Sequence, residues 1–319
     1  MGSSHFSLKI LEWYSLNKRE LPWRTNPTPY HVLVSEIMLQ QTQVSRVIEK
    51  FAEFTARFPT VQDLAKASTS DVIHAWSGMG YNRRALLLHK FAQEVMEKYA
   101  GIIPNNPQQL IELPGIGPYA AGSIAAFAFN QPSPAIDVNV RRIYLRFFQG
   151  KDQGTPLGKK EERELYQLVK TTIPLYRSRD LHNALMDFGS VVCMRNNPSC
   201  SVCILKTSCQ FFPLYQNHKE EVLFVKEKKI EKGVYEQSKF IPNRIFRGRI
   251  VEFVRQNEAK EISFEELGKY IKKDYQQQEQ EWLLILCQGL KRDKLLDFQQ
   301  KSSTLLLWFQ KNNHNNMII

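Results

Sequence analysis

The sequence predicts a mostly α-helical protein that ends in a small α+β module. Three observations predict it. Apolar residues recur at helical spacing over residues 5–216, with little strand-like alternation. Helix starts are well marked there: Asn106-Pro107 supplies an N-cap and a proline at the first helical position, and Pro118 and Asp137 do similar work later. From about residue 238 the pattern changes to three helical segments and then two strands around a polar turn.

The elements follow in chain order. HVLVSEIMLQQTQVSRVIEKF reads as one helix carrying Glu36 in an apolar run. LPGIGPYAAGSIAAFAF, residues 113–129, places Gly115 and Gly117 in a tight turn before a helix that starts at Pro118. Glycines allow close backbone approach, and the free N–H groups of the following helix suit a DNA phosphate. The plain alternative is an ordinary helix–helix turn. PAIDVNVRRIYLRFF reads as a helix capped by Asp137. Residues 217–237 are charge-rich and weakly patterned, and are expected to be a linker. FRGRIVEFVRQ is a helix with a basic start, Arg244, Arg247 and Arg249 among its residues and those just before it. Ser263 and Glu266 form a capping box for SFEELGKYIKKD, QEQEWLLILCQGLKRDK is a third helix, and LLDFQQKSSTLLLWFQ is a hairpin. Three helices and a hairpin suggest a winged-helix module over 238–319, contacting DNA or only stabilising the chain.

A chain of 319 residues, 43% apolar and 24% charged, has room for two or three packed units of ordinary globular composition. The net charge of +11 favours a polyanionic partner such as nucleic acid, although a generic basic protein has the same balance. No apolar stretch is long enough to span a bilayer, and MGSSHFSLKI lacks signal-peptide features, so no membrane association is expected. Cys193, Cys200, Cys203 and Cys209 follow a C-x6-C-x2-C-x5-C spacing, and Cys287 stands apart as an expected core residue. Four thiols this close point to a metal or iron–sulfur site in a reducing compartment, with tetrahedral zinc as the competing occupant.

Two carboxylates suggest chemistry. Glu36 shares its helical face with Val32, Leu33, Leu39 and Gln40, a mostly apolar wall that raises a carboxyl above its reference pKa of about 4.3. Asp137, held at a helix N-terminus, is expected to keep its charge. One protonated and one ionised carboxyl is the division of labour that cleaves a glycosidic bond.

The order LPWR (21–24), SEIMLQQTQV (35–44), WSGMGYNRRA (76–85), LPGIGPY, IDVNVRR, ALMDFG (184–189) and the cysteine spacing resembles the helix-hairpin-helix DNA glycosylases, within them the MutY-type adenine DNA glycosylases. The resemblance covers residues 11–216. It implies a six-helix barrel over 28–133 containing the hairpin, and a discontinuous iron–sulfur helical domain from 1–27 and 134–216. It also implies a 4Fe–4S cluster on Cys193, Cys200, Cys203 and Cys209, with Arg195 in a DNA-touching loop. By the same resemblance Glu36 is the acid that protonates a flipped-out adenine, Asp137 steadies the cationic sugar, and Asn139 assists it. Tyr119 stands where strand-cutting relatives carry lysine, so no Schiff base forms and the enzyme is monofunctional.

Arg19, Trp23, Arg24, Leu39 and Asn183 correspond to the adenine pocket, and Gln41 to a side chain that enters the duplex. Met79, Tyr81, Asn82, Gly115 and Gly117 correspond to DNA contacts. Asn82 departs from the family's second aromatic, Asn183 from its Glu or Gln, and a winged-helix-like tail replaces the Nudix-like domain. The implied partner is double-stranded DNA with a mispair or lesion, bound by a monomer in a bacterial cytoplasm at the nucleoid. The rival readings are a glycosylase removing thymine or uracil opposite guanine, and a non-catalytic DNA-binding protein on the same scaffold.

Overall fold

The protein is described by a computed structural model over residues 3–217, 231–257 and 260–310. The chain divides into two compact units: Met1–Glu36 with Ile102–Lys226, and Ile37–Gly101 with Glu227–Ile319.

The first unit is helical. Val140, Ile143, Tyr144 and Phe147 recur at helical spacing along Val138–Gln149 and build one apolar face. That face packs with Phe6 and Ile10 of Ser3–Asn17 and with Leu181, Leu185 and Phe188 of Ser178–Val191. Phe6 meets Tyr144 edge to face at 5.2 Å. Each such side chain contributes about 1.5–3 kcal/mol by leaving water, which holds these helices at fixed angles. The hairpin joins Pro107–Ile111 to Pro118–Phe127. Gly115 adopts φ 81, a conformation open to glycine, and Ile116 is buried beneath the turn.

The second unit opens with four helices, Val44–Arg57, Val61–Lys66, Thr69–Ala75 and Arg83–Tyr99. Thr60 and Asp63 form a capping box, and Ser68 caps the next helix through the Asp71 amide. The C-terminal part then runs helix Asn243–Gln256, strand Glu261–Ser263, helices Phe264–Ile271 and Gln280–Arg292, and strands Leu296–Lys301 and Thr304–Phe309. The last strand lies between the other two in an antiparallel sheet, with Ile262 opposite Leu305 and Phe298 opposite Leu307. Leu305, Leu307 and Phe309 alternate inward. This is the expected module of helices and a hairpin.

Two expectations need revision. The charge-rich stretch 217–237 is not linker throughout, because Gly233–Glu236 pairs with Lys239–Pro242 as a hairpin. Its turn is Gln237-Ser238, both at positive φ (47 and 67), as a two-residue hairpin turn requires. Neither residue advertises that turn, so the pattern was silent. Residues 218–230 of the expected linker lie outside the described residues. Residues 227–319 also cluster with 37–101 instead of standing alone. The side chains give the reason: the His74 ring meets Phe309 at 5.7 Å, and Arg255 Nε donates to Ile73 O at 3.2 Å. The expected domain limits at 27/28 and 133/134 coincide with neither border of these units. Among the described residues no helix is long and apolar enough to cross a membrane.

Candidate active site

Glu36 sits on Pro29–Leu39, where Val32, Leu33 and Ile37 are buried around it. Burial pushes its carboxyl up to about 7. The hydroxyls of Ser123 and Tyr119 pull the other way, and the charge of Asp137 adds to the rise. Ser123 Oγ is fully buried yet closes no hydrogen bond of normal geometry, so its approach to Glu36 is loose. Tyr119 leaves 36% of its surface exposed, but its hydroxyl is buried near Glu36. Burial first, then the charges of Glu36 and Asp137, raise that phenol well above its ordinary value. It is therefore a neutral donor at neutral pH.

Asp137 caps Val138–Gln149 as the spacing predicted. Its Oδ1 accepts from Asn139 N at 2.8 Å and Val140 N at 2.7 Å, and its Oδ2 accepts from Asn139 Nδ2 at 2.7 Å. The cap was expected to keep this carboxyl charged; burial raises its pKa, and those hydrogen bonds and the Arg142 guanidinium act against the rise. A cap motif reports the donors and says nothing of the surrounding burial. The structure thus brings Glu36, Asp137, Tyr119 and Asn139 together, each acting electrically or by hydrogen bond on a neighbour.

Asn139 is itself held. Arg142 Nη2 donates to its Oδ1 at 2.7 Å and to Gly189 O at 2.7 Å, while Arg142 Nε donates to Cys193 O at 2.7 Å. A Cβ on Gly189 would lie 2.7 Å from Asn139 Cβ, so only glycine leaves room for this asparagine.

Cys193, Cys200, Cys203 and Cys209 are half-buried and not joined in disulfides. Burial pushes Cys203 up to about 12, helped by the nearby charges of the other three cysteines, so the four share one region. Among the described residues no three ligating side chains converge as on a single metal ion. Arg146 Nη1 lies 3.7 Å from Cys193 Sγ, and the same group donates to Met194 O at 2.7 Å. A cation beside two of the four thiols, Cys193 and Cys209, suits an anionic thiolate cluster. Arg195 is exposed, with its carbonyl held by Arg146 Nη2 at 3.0 Å.

The expected pocket and DNA residues are placed as follows. Arg19 Nε and Arg24 Nη1 both bond the buried Asp187, at 2.6 and 2.8 Å. Trp23 and Asn183 are buried, and Leu39 is half-buried at the end of its helix. Gln41 is exposed at φ 56. Met79 is buried, whereas Tyr81 is exposed at φ 46. Asn82 Oδ1 accepts from Arg255 Nη2 at 3.0 Å. Gly117 caps the helix after the hairpin with open space around its Cα.

Comparison with known proteins matches residues 34–171 to the HhH-GPD superfamily base excision DNA repair proteins. The adenine DNA glycosylase of Buchnera aphidicola subsp. Schizaphis graminum is 30% identical, over 97% of this chain and 94% of its own. The chain belongs to the adenine DNA glycosylase family. Another member, from Mycobacterium tuberculosis (strain ATCC 25618 / H37Rv), is 37% identical over 64% of this chain and 67% of its own. The match spans only 58% of the length of the member from Buchnera aphidicola subsp. Baizongia pistaciae, which is 36% identical. Among solved structures, a thermostable thymine-DNA glycosylase superposes with TM-score 0.62 at 27% identity, over 66% of this chain and 97% of that one. Endonuclease III in a trapped DNA complex superposes with TM-score 0.57 at 20% identity, over 68% and 99%, which shows the shared fold.

Three residues of this family member escaped the sequence reading. Asp187 organises Arg19 and Arg24 from more than 160 positions away. Its only signal was a carboxylate inside the apolar string ALMDFG. His182 is buried and pushed down to about 4 by burial, so it is neutral. Its Nε2 accepts from Ala135 N at 3.1 Å, which fixes the chain two residues before Asp137. Arg142 looked like one more basic residue in VRRIYLRFF.

Proposed function

We propose that this chain is a monofunctional adenine DNA glycosylase that removes adenine mispaired with 8-oxoguanine or guanine and leaves an abasic site. One observation carries the reading: Glu36 is held near pH 7 beside an Asp137 whose oxygens are fixed by three hydrogen bonds. The protonated Glu36 delivers a proton to the extruded adenine as its bond to the sugar breaks. Ionised Asp137, oriented by Asn139, stabilises the positive charge that develops on the sugar. Water completes the hydrolysis. Tyr119 supports a monofunctional enzyme, because a neutral buried phenol offers no amine for a Schiff base. In this reading Trp23 and Asn183 take part in binding the adenine, and Asp187 fixes Arg19 and Arg24.

The four cysteines would hold a 4Fe–4S cluster, which when bound ties the 193–209 segment into a fixed loop. That loop would offer Arg195 to DNA, and so would the hairpin at Gly115 and Gly117; in the second unit the exposed Gln41 and Tyr81 are the corresponding DNA contacts. In this reading the protein acts as a monomer on double-stranded DNA in the bacterial cytoplasm. The likeness to a thymine-DNA glycosylase keeps one rival in view, removal of thymine or uracil opposite guanine. A base-release panel on A:8-oxoguanine, A:G, T:G and U:G duplexes separates them. Free adenine from the first two supports the proposal, and pyrimidine release alone refutes it.

A further inference from the structure

The Ser123 hydroxyl is fully buried at the carboxylate site and closes no hydrogen bond of normal geometry. That is costly, because a buried hydroxyl without a partner has lost its water and gained nothing in exchange. A helical serine also has an easy remedy, since it can bond back to a carbonyl of the preceding turn. Other helical hydroxyls of this chain do so. Ser35 Oγ donates to Val32 O at 2.9 Å, Thr55 Oγ1 to Phe51 O at 2.7 Å, Thr172 Oγ1 to Val169 O at 2.7 Å and Ser190 Oγ to Met186 O at 2.7 Å. Ser123, in the middle of Pro118–Phe127, does not.

Its place in the site is set by the helix that carries it. Tyr119 lies one turn earlier on the same face, so the helix presents two hydroxyls together. Both act on Glu36, Ser123 more strongly than Tyr119. The residue before Ser123 is Gly122, where a Cβ would overlap the carbonyl oxygen of Pro134. That close approach seats the helix, and Ser123 with it, against the segment that leads into Asp137.

Resting on the proposed glycosylase function, we infer that Ser123 is a positioning residue of the acid, a donor held unpaired for the Glu36 carboxylate that forms as its proton leaves. Before the reaction Glu36 is a neutral acid, and a loose hydroxyl beside it gains little. During the reaction the proton passes from Glu36 to the departing adenine, which takes with it the electron pair of its bond to the sugar. Glu36 is left as a buried anion, and the charge of Asp137 opposes it. Tyr119 and Ser123 are the hydroxyls that meet this new charge. An interaction that strengthens as charge develops speeds the step, whereas one made equally before it does not. The unpaired Ser123 is the resting half of a hydrogen bond completed in the transition state.

The test compares two variants of the full chain. Ser123→Ala removes the hydroxyl and favours the helix, whereas Ser123→Cys keeps the volume and offers only a weak donor. Single-turnover adenine release from an A:8-oxoguanine duplex is followed against pH. Below neutrality both variants should be about tenfold slower than wild type. Their alkaline limb should lie about one pH unit higher, because the carboxylate has lost a donor. Thermal unfolding reads the same effect without substrate. Ser123→Ala should melt no lower than wild type at about pH 5, where Glu36 is neutral, and lower than wild type at about pH 9, where it is charged. Wild-type rates in both variants overturn the inference. So do slow variants whose limb has not moved, because the hydroxyl then serves packing alone. A Ser123→Cys profile identical to wild type overturns it too, because volume then suffices, and so does a Ser123→Ala melting difference that is constant with pH. Failure of the glycosylase reading appears separately, as no adenine release by wild type while the pH-dependent melting difference persists.

Discussion

Replacing Glu36 by glutamine should stabilise the protein at alkaline pH. The folded protein holds this carboxyl near 7, against an ordinary value of 4.5. Below pH 4.5 the group is neutral in both folded and unfolded chains, and glutamine, of the same shape, changes little. Between 4.5 and 7 the unfolded chain releases its proton while the folded chain keeps it, so wild type progressively loses stability. Above 7 both states are charged and the loss is complete. The span from 4.5 to about 7, at about 1.4 kcal/mol per pH unit, amounts to roughly 3 kcal/mol. For a unit of this size that corresponds to about 6–12 °C in Tm. The assay is thermal unfolding of wild type and Glu36→Gln from pH 4.5 to 8.5. The advantage of the variant should be near zero at the acid end and grow through this window. A difference that stays constant with pH would show that Glu36 is not held in its neutral form, and the reasoning would fail.

Three further outcomes follow from the same geometry. Asp137→Asn keeps a cap for Val138–Gln149 but removes the charge, so duplex binding persists while single-turnover adenine release falls by about 10²–10³-fold. Gly189→Ala forces Asn139 off Asp137 and should slow release roughly tenfold; combined with Asn139→Ala it should add almost nothing, and full additivity would disprove the coupling. Cys200→Ser should lower bound iron and affinity for DNA more than it lowers the rate at saturating protein. Elemental analysis of wild type showing stoichiometric zinc and no iron would contradict the cluster.

The parts of this account legible in the sequence are those with local causes. Glu36 stands out because helical spacing alone surrounds it with Val32 and Leu33. Asp137 stands out because a cap needs only its own next three residues. The C-terminal strands Leu296–Lys301 and Thr304–Phe309 were legible through their alternation. What stayed hidden depends on distant residues or on burial. The Gly233–Pro242 hairpin turns through Gln237-Ser238, a pair with no intrinsic preference for left-handed backbone. Asp187 acts on Arg19 and Arg24 across most of the first unit's chain. The upward shift of Asp137 comes from burial, which no cap motif reports. Asn82 reads as a lost aromatic in one dimension and as the acceptor of Arg255 in three.

The most direct test of the central claim, that Glu36 is the acid of adenine excision, is a pH–rate profile. Single-turnover adenine release from an A:8-oxoguanine duplex, measured at sub-saturating enzyme, reports the groups of the free protein. Wild type should lose activity above about pH 7 with the slope of one proton, and Glu36→Gln should be slower by at least about 10²-fold and lack that limb. A wild-type rate that climbs steadily through pH 7 to 9, or a Glu36→Gln rate close to wild type, would contradict the account.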